Sequence, residues 1–93
     1  MRQKIVLKPD KNRCIETLAK RRYWNAVDRY MRLGEDDIRI ENEIEILRRF
    51  LEEVDVEGYR SQMESLMEEG KEVCLVLDID EKGDILVEIK EIA

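Results

Sequence analysis

Histidine does not occur in the 93 residues. Its absence removes Ser-His-Asp and Cys-His nucleophile pairs together with every imidazole metal ligand. Cysteine occurs twice, at Cys14 and Cys74. The two are far apart and neither has a second cysteine nearby, so no zinc or redox spacing exists and both read as free thiols. A Gly-rich phosphate loop, an HExxH helix and a GxSxG elbow are all missing. No catalytic residue, metal ligand or cofactor is therefore assigned. The reading leans away from an enzyme, with a small enzyme or ligand-binding protein whose site uses carboxylates, or the thiol of Cys14 or Cys74, as an alternative left open.

Long apolar runs are also lacking. The longest, Val73 to Leu77, has five residues, against about 18 for a membrane span. The N-terminal stretch holds only Ile5, Val6 and Leu7 in a row, too few for the core of a secretory signal. A cytoplasmic location is expected, with no membrane association. Proline occurs once, and charged residues reach 43%. Asparagine and glutamine are sparse as well, a thermophile-like balance of the kind seen where ion-pair networks matter.

The rest is enough to fold. Hydrophobic residues make up 43%, and a chain this long buries roughly 60 to 65% of the surface its unfolded form exposes. With no internal repeat and no linker, residues 1 to 93 are expected to form one domain. Residues 3 to 8 alternate around Ile5 and Leu7 until Pro9 and Asp10 stop them, which reads as a short edge strand with lysines outward. From about Asn12 the period becomes helical, through Ile15, Leu18, Ala19, Tyr23, Ala26, Tyr30 and Leu33, with Gly34 as its terminator.

Between Glu35 and Val54, the spacing of Ile40, Ile44, Leu47, Leu51 and Val54 favours helix throughout. A rival reading makes 38 to 41 a short strand and starts the helix at an Asn42-x-x-Glu45 capping box. Asp55 caps a third helix with Val56, Tyr59, Met63 and Leu66 on its apolar face and Gly70 at its end. Residues 71 to 92 then form a hairpin. Its turn is centred on Glu81, Lys82 and Gly83, and Ile79, Leu77 and Leu75 face Ile85, Val87 and Ile89. The order is β-α-α-α-β-β: an α+β fold with a small antiparallel sheet covered by three helices on one face.

The acidic turn from Asp78 to Asp84 resembles the start of a calcium loop, but Lys82 stands at its fifth position and Ile89 at its twelfth, so a hairpin turn explains it better. Net charge is −6 and unevenly spread: residues 1 to 33 carry ten basic and three acidic side chains, the remainder seven and twenty. The split places a basic helix across acidic ones, or offers a charged face to another protein of complementary charge. The basic run Lys20, Arg21, Arg22 lies beside Tyr23 and Trp24, yet at 100° per residue these scatter around the helix. A nucleic-acid face using Lys20, Arg21, Arg29 and Arg32 is an alternative that the net charge opposes.

One feature of the first helix has no place in its core face. Trp24, Val27 and Met31 recur at three and four, behind the stem of Lys20. Three destinations are open for this second apolar stripe: burial within the monomer, self-association, or a partner of another kind. The expected protein is a small binding or structural protein, homodimeric through Trp24, Val27 and Met31.

Overall fold

A computed structural model describes residues 4–33 and 38–92, apart from the side chain of Leu33. The order is β1 (Ile5–Leu7), α1 (Ile15–Leu33), α2 (Ile38–Glu53), α3 (Val56–Glu68), β2 (Val73–Ile79) and β3 (Ile85–Glu91). The three strands form one antiparallel sheet in the order β1-β2-β3, packed against the helices. Among the described residues no helix is long and apolar enough to cross a membrane.

The hairpin has the register that its alternation implies: Ile79 faces Ile85, Leu77 faces Val87 and Leu75 faces Ile89. Its turn closes with the Asp80 N–H donating to the Asp84 carbonyl at 2.9 Å. Gly83 sits at φ +87°, a left-handed conformation that costs glycine little. Arg49 of α2 donates to the Gly83 carbonyl, tying the turn to the helical layer. On the other side of β2, Ile5 pairs with Leu77 and Leu7 with Leu75. One face of the sheet therefore carries Ile5, Leu7, Val73, Leu75 and Leu77, all buried.

Onto that face the helices bring Ile15 and Ala19, Ile46, Leu47 and Phe50, and Met63. Phe50, the only phenylalanine, is fully buried. Helix α1 begins at Ile15, three residues after the sequence-based start at Asn12. The Asp10 carboxylate accepts from the Asn12 and Arg13 N–H groups at 2.8 and 2.9 Å, and this Asx turn holds the chain out of the helix until Cys14. Gly34, the expected terminator, lies outside the described residues.

From Ile38 onward α2 is helical, so the strand reading of 38 to 41 does not apply. Its buried face is Ile40, Glu43, Ile46, Leu47 and Phe50. Ile44, Leu51 and Val54, expected at the centre of that face, border it half-buried. Asp55 caps α3 by accepting from the Gly58 N–H at 3.1 Å. At the other end Lys71 N–H reaches the Leu66 carbonyl at 3.1 Å and Gly70 N–H the Met67 carbonyl at 3.0 Å, a Schellman closure with Gly70 left-handed at φ +86°.

Candidate functional site

Helix α1 has nineteen residues and two distinct sides. Ile15, Ala19 and Ala26 are buried against the rest of the molecule. A helix advances 100° per residue, so Trp24 and Met31 point nearly opposite to these. They are 65% and 76% exposed, while Val27 is half-buried. Trp24 and Met31 are thus not absorbed into the monomer, which leaves self-association or a partner of another kind. Trp24 is partly held in place, its ring meeting that of Tyr23 edge-on at 5.4 Å between centroids.

The basic residues of α1 separate into different surroundings. Lys20 stands 3.9 Å from Glu16 and Arg32 3.2 Å from Asp28, both exposed pairs along the helix. Arg29 turns inward, its Nη2 2.7 Å from Glu43 of α2. Arg21 lines a groove of about 640 Å³ that runs between α1 and β1, with Lys8, Arg22, Asn25 and Arg29. Of the four residues proposed from sequence for a nucleic-acid face, Arg21 and Arg29 come together here. Lys20 and Arg32 do not.

Glu43 forms part of the groove wall. It is one of two buried charged residues among those described, the other being Asp78. Its second oxygen is 3.4 Å from Arg22, whose other terminal nitrogen donates to the Val6 carbonyl at 3.1 Å. A buried carboxylate needs such partners, and here it fixes two arginines in return. Sequence reasoning missed Glu43 and Lys8, and it left Arg22, a member of the basic run, out of the candidate face. A signal existed: Glu43 lies at the spacing of Ile40, Leu47 and Phe50, where a charge in an apolar register marks a paired interior group.

Cys14 is the residue whose carbonyl accepts the first helical bond of α1, from the Leu18 N–H at 3.1 Å. Its Sγ is 3.4 Å from the Thr17 hydroxyl. Hydrogen bonding from the Thr17 side chain and backbone holds this thiol below the ordinary cysteine value, with Arg60 adding a smaller electrostatic contribution. A second cavity, about 520 Å³, opens beside it, bounded by Arg60, Met63 and Met67 of α3. Cys74 is buried, and both thiols are free. Among the described residues no group of three or more acidic or cysteine side chains is arranged to hold a metal.

Comparison with known proteins bears on the chain as a whole rather than on these surfaces. The chain belongs to a protein family of uncharacterised function. The match spans residues 1–89, so β1, β2, all three helices, both grooves and β3 as far as Ile89 lie within it. No curated protein and no solved structure matches the chain.

Proposed function

We propose that the protein is a small binding or structural protein that works as a homodimer, with Trp24, Val27 and Met31 of α1 meeting their symmetry mates. The observation that carries this reading is the exposure of Trp24 and Met31 on the side of α1 turned away from the core. Tryptophan and methionine are enriched in protein–protein contacts, where a large apolar area is gained with few rotatable bonds or with an adaptable side chain. The edge-on contact with Tyr23 restricts the indole before any partner arrives, which lowers the entropy lost on docking. A two-fold pairing of α1 with α1 buries the same stripe from both copies.

Light scattering after size exclusion tests the proposal. Self-association that persists at high salt and falls to a smaller assembly on Trp24→Ala supports it, because apolar contact is insensitive to screening, whereas a mass that Trp24→Ala leaves unchanged counts against it. A parent chain that is monomeric at every concentration overturns it.

A second reading, contact with nucleic acid, is favoured by one observation: Lys8 and Arg21 line the groove beside two further arginines and have no ion-pair partner among the described residues. Phosphate contacts of this kind weaken steeply with salt. Absence of binding to mixed oligonucleotides at low salt removes the reading.

A further inference from the structure

Strand β3 is an edge of the sheet and, at seven residues, more than twice as long as β1 at the other edge. Its in-plane hydrogen-bonding phase is fixed at both ends of the hairpin. The Asp84 carbonyl accepts from Asp80 N–H at 2.9 Å, and Ile92 N–H donates to the Glu72 carbonyl at 2.8 Å. Successive residues of an antiparallel strand direct their N–H and C=O groups to opposite sides. Even-numbered residues of β3 therefore bond to β2. The backbone groups of Ile85, Val87, Ile89 and Glu91 point to the open edge, where long unblunted strands pair with further chains.

The side chains on the face away from the helices give this edge a definite partner. In order they are Leu86, Glu88, Lys90 and Ile92: apolar, acidic, basic, apolar. Leu86 and Ile92 are 43% and 37% exposed. Glu88 and Lys90 have no ion-pair partner among the described residues, and across the ladder they face Val76 and Cys74, which offer no countercharge. Read backwards, the pattern is complementary to itself.

We propose that β3 pairs antiparallel with β3 of a second copy, with Ile89 on the two-fold axis, extending the sheet from three strands to six. In that register the outward backbone groups of Ile89 meet those of Ile89, and Val87 meets Glu91. On the outer face Glu88 of one copy lies opposite Lys90 of the other, twice, and Leu86 lies opposite Ile92, twice. The neighbouring registers that the hydrogen-bonding phase permits set Glu88 against Glu88 or Lys90 against Lys90. Opposite charges directly across a strand pair stabilise it and like charges oppose it, so one register is selected. This contact is separate from the α1 stripe, since α1 packs on the β1 side of the sheet and the turn of the β2-β3 hairpin is tied to α2.

Charge exchange tests it, carried out in Trp24→Ala so that association through α1 is read separately from association through β3. Self-association of the Trp24→Ala chain is expected to persist. Adding Glu88→Lys or Lys90→Glu alone is expected to weaken it about tenfold, since each change turns both attractive pairs into repulsive ones. Mixing the two singly altered chains, or combining both changes in one chain, restores opposite charges in both pairs and is expected to return the dissociation constant to that of the Trp24→Ala parent. Sedimentation equilibrium reads all five samples. A monomeric Trp24→Ala chain, or single reversals that associate as tightly as their parent, overturns the proposal.

Discussion

The Nη2 of Arg29 on α1 and the Oε2 of Glu43 on α2 are 2.7 Å apart, so the two longest helices are joined through a carboxylate that is 5% exposed. Arg22 approaches the other oxygen from the same helix. Replacing Glu43 with alanine leaves two guanidinium groups facing an apolar gap, though both retain access to water. A loss of about 2 kcal/mol is expected. Glu43→Leu fills the space without the charge and is expected to lose less. Urea denaturation of the two variants checks the order.

Gly58 lies where a side chain would collide with the cap of its own helix. A Cβ there falls inside contact distance of the Asp55 carboxylate, which accepts from the Gly58 N–H at 3.1 Å. Glycine to alanine in a helix ordinarily stabilises. Here Gly58→Ala is expected to destabilise by about 1 kcal/mol, the size of a lost cap. In the Asp55→Ala background the same substitution is expected to become neutral or favourable, and thermal melts of the four-member cycle read the reversal directly.

Cys14 and Cys74 are expected to differ in reactivity. Thr17 lowers the Cys14 thiol from its ordinary value, so thiolate forms at lower pH. The midpoint of its alkylation rate against pH lies below that of free cysteine. Thr17→Val removes the hydroxyl contact and is expected to move the midpoint up. Iodoacetamide labelling followed by mass spectrometry distinguishes Cys14 from the buried Cys74.

Arg60 bridges Glu57 at 2.7 Å and Glu64 at 3.2 Å along α3, and its hydrogen bond holds the Glu57 carboxyl below the usual glutamate range. A carboxylate with a depressed folded pKa stabilises the fold above its unfolded value and loses that contribution as pH falls through the folded one. Glu57 is therefore expected to titrate at lower pH than a free glutamate, and Arg60→Gln to raise its midpoint. Carbon-detected NMR titration of the side chain follows both.

Much of the fold is legible in the sequence because two periodicities carry it. Alternation through Val73 to Ile79 and Ile85 to Ile89, with Gly83 between them, leaves one register that places Val73, Leu75, Leu77, Ile79, Ile85, Val87 and Ile89 on one face. The helices were harder where a polar residue took an interior position. Glu43 displaced the reading of α2 toward Ile44 and Leu51, because a carboxylate is assumed to face water until its partners are known, and those partners belong to another helix. The start of α1 was misplaced for a similar reason, since the Asx turn at Asp10 competes with the helix through bonds that periodicity does not register. The Trp24 stripe was visible, but its exposure depends on how many neighbours α1 acquires, a property of the packed layers.

Strand β2 is central in space and late in the chain. Its partner β1 precedes it by more than sixty residues, and Ile5 has no strand partner until Leu77 has been synthesised. On the ribosome the basic α1 emerges long before β2, so β1 stays without its strand partner until β2 has emerged. Closing so large a loop carries an entropic cost that only the finished hairpin can offset. The β2-β3 hairpin thus decides when β1 becomes part of a sheet, and a chain truncated before β2 is expected to remain open to proteases.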